Sequence, residues 1–174
     1  MTALPPFELN AFWIAQFTGL IALGFGIAAF SVKSNTRLKI LQIIQSCFLS
    51  LNFYLLGALG GSAMTLLAAV RNGVSLLNPP KFTGALFMML YLAIGYYRYR
   101  EWYDILPVFA VLISTYAIFY AEGLRVRYLF LAVGSLWIIH NAVVLSIPPL
   151  VMEAIILGTN LRFILNNRSL QPEV

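Results

Sequence analysis

The sequence predicts an all-α polytopic membrane protein: seven transmembrane helices arranged as two parallel three-helix repeats joined by one linker helix. Three observations lead there. The 174-residue chain is 61% hydrophobic and only 10% charged, with a mean hydropathy of +0.87, whereas soluble domains are about one-quarter charged. Its apolar residues fall in continuous runs of bilayer-crossing length, and the two halves of the chain place their breaks at corresponding positions.

Charges, glycines and prolines break the chain into apolar stretches at roughly 11–32, 38–57, 62–78, 82–98, 104–121, 126–146 and 149–166. A helix needs about 20 mainly apolar residues to cross the hydrocarbon, so these spans consume the length. Residues 1–174 therefore read as a single membrane domain: repeat one over about 11–78, the linker helix over about 82–98, repeat two over about 104–166, and a short tail at 167–174. Continuous runs favour helices over a barrel, whose strands would alternate lipid-facing and lumen-facing residues. Met1 to Asn10 contains no Lys or Arg and includes Pro5-Pro6. It lacks the basic start of a cleavable signal, and the first helix is expected to be retained. Within that helix Gly19 and Gly26 are two turns apart and permit close contact with a neighbour.

Orientation follows from Lys and Arg in the short loops, which are enriched on the cytoplasmic side. With the N-terminus outside, the inner loops hold Lys33, Arg37, Lys39, Lys81, Arg125 and Arg127, and the tail holds Arg168. The outer loops at 58–61 and 146–149 hold none, while the one between helices four and five carries Arg98 and Arg100 beside Glu101 and Asp104. The expected topology is N-out, C-in. Phe12, Trp13, Tyr96, Tyr97, Tyr99, Trp102 and Tyr103 fall at span edges and fit an interfacial belt.

An ungapped offset of 88 residues lays the first three helices on the last three. Arg37 falls on Arg125, Gly60-Gly61 on Pro148-Pro149, Met64 on Met152, Asn72 on Asn160, and Leu77-Asn78 on Leu165-Asn166. Three helices plus one linker restore the original direction, so the repeats are parallel.

Function is sought in the intramembrane polar residues, because an ionisable group at a helix centre costs about 2.5–3.5 kcal/mol or more unless partnered. These are Asn52 in helix two, Arg71 and Asn72 in helix three, His140 and Asn141 in helix six, and Glu153 and Asn160 in helix seven. Glu153 and Asn160 are two turns apart and share a face, as do their repeat-mates Thr65 and Asn72. The two stripes are expected to face each other across a midplane cavity, where the asparagines bind a small polar solute. The competing reading makes them structural cross-helix hydrogen bonds, worth about 0.6 kcal/mol each.

Arg71 lies about ten residues into its predicted span, too deep to snorkel, and needs a partner. Glu153, the only acidic residue inside a span, is offset by about two turns towards the outer side. That leaves water, backbone carbonyls or an anionic ligand group. His140, the only histidine, sits behind Trp137 as a core residue, or as a proton-coupling group if it lines the cavity with Glu153. Asn52 falls on His140 in the offset, and both are expected to border one outer vestibule.

Enzyme readings have little to stand on. There is no HExxH, nucleotide-binding loop, metal-ligand cluster or pair of intramembrane aspartates. Ser135 and His140 are about 140° apart around their helix, so the hydroxyl cannot reach the imidazole. Cys47 is the only cysteine, which excludes an intrachain disulfide and a cysteine-rich metal cage. No cofactor or metal is expected. The basic residues are scattered singly, which argues against nucleic acid despite the net charge of +5.

Leu106-Pro107-Val108, Ser114-Thr115, Gly123-Leu124, Trp137-Ile138-Ile139-His140-Asn141, Ser146-Ile147, Glu153, Asn160 and Arg162-Phe163 together resemble the YgjV family of bacterial inner-membrane proteins. The likeness extends over roughly residues 11–165; Arg71 matches it, whereas Asn72 is not an evident family position. It implies an inner-membrane location and this topology. The three-one-three layout with an asparagine in helices three and seven also resembles the SWEET sugar transporters and PnuC vitamin transporters. The SWEET likeness implies solute contact by Asn72 and Asn160. The Pro-Gln signature of SWEET repeats is missing: no proline occurs within 11–32, and Pro107 is followed by Val108. Sugar specificity is not implied.

The resulting expectation is an inner-membrane transporter or facilitator of a small polar solute, with Asn72 and Asn160 flanking the cavity and Arg71, Glu153, His140, Asn141 and Asn52 bordering it. The alternative is a structural or partner-binding membrane protein without a solute path. Expected partners are the bilayer and the solute, with homo-oligomerisation left open.

Overall fold

The computed structural model describes residues 6–32 and 34–167. They form α1 (Pro6–Ser31), α2 (Asn35–Leu55), α3 (Leu59–Ser75), α4 (Phe82–Arg98), α5 (Ile105–Tyr120), α6 (Leu124–Val143) and α7 (Ile147–Asn167), with a 3₁₀ turn at Trp102–Asp104 before α5. The all-helical reading holds. Five helices, α1, α2, α5 with its preceding turn, α6 and α7, are long and apolar enough to cross a membrane. The other two, α3 and α4, have 17 residues each, about 25 Å at the α-helical rise. Lys33, Arg168 and most of the 167–174 tail, which bear on the orientation, lie outside the described residues.

Helix boundaries follow local chemistry. Pro6 stands in the first turn of α1, where its missing N–H would have had no partner, so α1 starts ahead of the expected position. Ser34 caps α2 by accepting from the Arg37 N–H. At the other end of α2, Gly57 adopts φ 77°. Its N–H bonds the Tyr54 carbonyl and the Ala58 N–H bonds that of Phe53, a left-handed reversal that satisfies the last carbonyls of α2. The tight turn lets α3 begin at Leu59, earlier than expected. Eighty-eight residues on, α6 ends the same way: Leu145 takes φ 57°, with bonds from Leu145 N–H to Ala142 and from Ser146 N–H to Asn141.

Neighbouring helices α1–α2–α3 pack together, as do α5–α6–α7. The groups meet at two seams, α1 on α7 and α3 on α5, which close a six-helix ring; α4 packs on α3 and α5. Phe53 of α2 stacks on Trp137 of α6 at 5.6 Å and 6°, inside an apolar cluster that includes Leu49, Met64, Phe87, Val111 and Val133. At the α1–α7 seam the predicted close approach of Gly19 and Gly26 is realised. A Cβ on Gly19 would stand 3.0 Å from Pro149, and one on Gly26 2.6 Å from the Met152 sulfur.

Polarity runs opposite to that of a soluble fold. Asn52, Thr65, Arg71, Asn72, His140, Asn141 and Asn160 are buried, while Ile14, Phe17, Leu20, Leu66, Leu86 and Met89 are exposed. Hydrocarbon solvates the second group and cannot solvate the first. The start of α1 and the α2–α3, α4–α5 and α6–α7 turns lie at one face, here the N-terminal face. The opposite, basic face carries Arg37, Lys39, Lys81, Arg125 and Arg127.

Candidate functional site

The buried polar side chains form separate clusters. At the α3–α5 seam Arg71 is 5% exposed. Its Nη1 donates to Ser114 Oγ and Thr115 Oγ1, both at 2.9 Å, and its Nε and Nη2 donate to Asn72 Oδ1 at 3.3 and 3.1 Å. Both hydroxyls donate onward to the Val111 carbonyl, which fixes them as acceptors towards Arg71. Because α3 ends at Ser75, ahead of the expected position 78, Arg71 lies about one turn from the helix end. The guanidinium nonetheless turns inward. Tyr91 of α4, completely buried, lies near the Arg71 guanidinium and approaches the Thr115 hydroxyl, although its own hydroxyl has no hydrogen bond of ordinary geometry.

At the N-terminal face Asn52 bridges α1 and the α6–α7 turn. Its amide donates to the Ala15 carbonyl at 2.6 Å, and its oxygen accepts from Ser146 Oγ at 2.6 Å. Gln16 adds two more links to the same turn, from Nε2 to the Leu145 carbonyl at 2.9 Å and from the Ile147 N–H to Oε1 at 3.1 Å. Across the centre, His140 is packed edge-on against Phe53 and Trp137, at 4.9 and 5.6 Å between ring centroids. Its ring presses on Gly61 of α3, where a Cβ would come within 2.7 Å. Neither ring nitrogen has a hydrogen-bond partner, nor does the neighbouring Asn141 Oδ1. Beside them Asp104 turns one carboxylate oxygen to the Arg100 and Glu101 N–H groups, both at 3.0 Å, and rests the other against Gly60.

Towards the basic face, Arg127 of α6 donates to Asn160 Oδ1 of α7 at 2.8 Å and covers the Phe163 ring at 4.6 Å. Eighty-eight residues earlier, Lys39 of α2 donates to the Ser75 carbonyl of α3 at 2.9 Å. Glu153 faces Gly134 of α6, its carboxylate 3.6 Å from the place a Cβ would take.

The seven residues singled out from the sequence therefore divide. Arg71 and Asn72 act together, as do His140 and Asn141. Asn52 belongs to the α1–α7 side of the N-terminal face, whereas Glu153 and Asn160 serve the α6–α7 contact. The asparagines take different partners, Arg71 and Arg127. Arg71 and Glu153 form no ion pair, since they belong to different helix contacts. Grooves open on the surface among the described residues, two of them sizeable. One, of about 520 Å³, lies between Tyr120, Arg125 and Tyr128; the other, of about 400 Å³, lies between α3 and α4 at Ala63, Ala93 and Tyr97. Neither is lined by the seven residues. The contacts of Gln16, Tyr91, Asp104, Ser114, Thr115 and Arg127 emerge only from the structure, although Gln16 is legible in the sequence as a polar residue inside an apolar run.

Comparison with known proteins gives one consistent answer. Residues 13–170 match the family of bacterial inner membrane proteins designated Imp-YgjV. The inner membrane protein YgjV of Escherichia coli strain K12 is 31% identical over 133 residues, covering 76% of this chain and 73% of that relative. No solved structure matches. With a family match over nearly the whole chain and an inside-out distribution of polarity, this chain belongs to the YgjV family of bacterial inner membrane proteins.

Proposed function

We propose that this protein is a transporter or facilitator of a small polar solute, built from two parallel three-helix repeats, α1–α3 and α5–α7, with α4 as linker. The observation that carries this reading is the correspondence of contacts under the 88-residue offset. It turns the α1–α7 seam into α5–α3, the reversal at Gly57 into that at Leu145, and the Lys39 tie to Ser75 into the Arg127 contact with Phe163. Two equivalent bodies meeting at two equivalent seams can rock about them, as repeat-built transporters do. All seven helices span in this arrangement, with the bilayer thinning slightly around α3 and α4. The cationic bias makes the basic face cytoplasmic, N-out and C-in.

A specific observation favours a second reading, a structural or partner-binding protein: Asn72 and Asn160 each bond a neighbouring basic side chain, and neither of the two grooves described above is lined by them. Cysteines placed singly at 72, 153 and 160 in a Cys47→Ser background separate the two. A solute path predicts alkylation of these cysteines by a membrane-impermeant maleimide from at least one side. Their complete protection in folded protein, with a loop cysteine modified normally, would establish the second reading.

A further inference from the structure

We infer that the α3–α4–α5 seam holds a binding site for an oxyanion, a carboxylate or phosphate group, received by Arg71 and Tyr91. This deepens the solute-site reading and rests on it.

Charge is the first part of the case. Arg71 is buried, and every acceptor it uses is neutral: the Asn72 amide and the Ser114 and Thr115 hydroxyls. The described acidic side chains are engaged or placed elsewhere. Asp104 binds its own turn, Glu153 lies against Gly134, and Glu101 and Glu122 are exposed in the α4–α5 and α5–α6 turns. Hydroxyl and amide oxygens orient a guanidinium but do not neutralise it, and an unneutralised cation in a low-dielectric interior is strongly disfavoured. Intramembrane cations of this kind mark ligand or ion sites.

Unused donors are the second part. A guanidinium has five N–H groups in one plane. Nε spends its one on Asn72, Nη1 spends two on Ser114 and Thr115, and Nη2 spends one on Asn72, which leaves one on Nη2. The Tyr91 hydroxyl, on the facing helix, is completely buried beside the same guanidinium and approaches the Thr115 hydroxyl without a hydrogen bond of ordinary geometry, which leaves its proton free for a better acceptor. An oxyanion accepting from both would satisfy the phenol and supply the missing charge. Asn72 and the two hydroxyls then position Arg71, and α4 is the helix that must yield to admit the ligand. The α3–α4 groove at Ala63 and Ala93 opens on that helix's side.

Purified protein in non-ionic detergent is titrated with phosphate, sulfate and acetate against chloride at constant ionic strength, and the unfolding midpoint is followed. A ligand bound only by the folded state raises it in a concentration-dependent way. We expect a saturable rise with at least one oxyanion, abolished in Arg71→Gln. Tyr91→Phe keeps the packing and removes an unpartnered hydroxyl. It is expected to unfold at or above the wild-type temperature without oxyanion and to weaken the oxyanion effect about tenfold or more. Repeating the measurement in phosphatidylcholine nanodiscs with and without phosphatidylglycerol assigns the source. Stabilisation by phosphatidylglycerol alone identifies a lipid headgroup, and stabilisation by free anions identifies a solute; either supports the site. No rise with any oxyanion or with phosphatidylglycerol, or an equal rise in Tyr91→Phe and Arg71→Gln, overturns it. Alkylation at 72 and 160 with no oxyanion effect would overturn the ligand class alone, whereas full protection at those positions removes the solute reading itself.

Discussion

The hydroxyl of Ser146 donates to the side-chain oxygen of Asn52 at 2.6 Å, joining α2 to the turn between α6 and α7 across 94 residues of sequence. Both side chains are completely buried, and Asn52 uses its amide on the Ala15 carbonyl as well. Removing either partner leaves an unpaired polar atom, which costs about 1–3 kcal/mol. Ser146→Ala and Asn52→Ala should each lower stability by that order in dodecyl sulfate titrations. The double variant should lose less than the sum of the two; strict additivity would show that the bond carries no coupling.

Leu145 is a non-glycine residue in a left-handed reversal, at φ 57°, whereas its counterpart in the turn after α2 is Gly57. The conformation disfavours a residue with a Cβ by about 1–2 kcal/mol, and the exposed leucine side chain recovers little through packing. Leu145→Gly is expected to stabilise the protein by about 0.5–1 kcal/mol, seen as a rise of a few degrees in the unfolding midpoint. Gly57→Leu should shift it in the opposite direction.

Close approach at the α1–α7 seam makes Gly26 intolerant of larger residues. Its missing Cβ would stand 2.6 Å from the sulfur of Met152, itself buried and bonded by Gln45 at 3.2 Å. Gly26→Val should cost about 1–3 kcal/mol by overpacking, partly restored by Met152→Ala. Gly24 provides the control, because a Cβ there would meet nothing within 4 Å. Gly24→Ala should be neutral or slightly stabilising.

Arg127 holds α7 by a hydrogen bond to Asn160 and by its stacking on Phe163. Arg127→Lys keeps the charge but loses the planar fork that makes both contacts at once. It should be destabilising by about 1 kcal/mol, with Arg127→Ala worse because Asn160 loses its partner. Equal stability of all three proteins would mean that the contact contributes nothing.

Much of the fold can be read from the residues alone. Continuous apolar runs broken near Gly60-Gly61, Asn78-Pro79-Pro80 and Pro148-Pro149 locate all seven helices within a few residues, although the first and last of these breaks fall in the opening turns of α3 and α7. The spacing of Gly19 and Gly26 identifies a close-packed face. Helix ends are less legible: the left-handed turn at Gly57 brings the start of α3 forward to Leu59, and the stop at Ser75, earlier than expected, leaves Arg71 about one turn from the end.

The candidate residues are recognisable by type but not by partnership. Polarity within an apolar run shows that Asn52, Arg71 and His140 must be buried or bonded, because hydrocarbon offers them nothing. Which group answers each of them depends on helix rotation and on which helices meet, and a periodicity cannot report either. Composition and run length answer to the solvent, and so they suffice to specify an all-helical membrane protein with its polar side chains turned inward. That Arg71 meets Ser114 and Thr115 instead of Glu153, that Asn52 meets Ser146, and that His140 presses on Gly61 without a partner are outcomes of tertiary packing. Those contacts are set by the closure of the ring at the α1–α7 and α3–α5 seams, which join residues far apart in the chain.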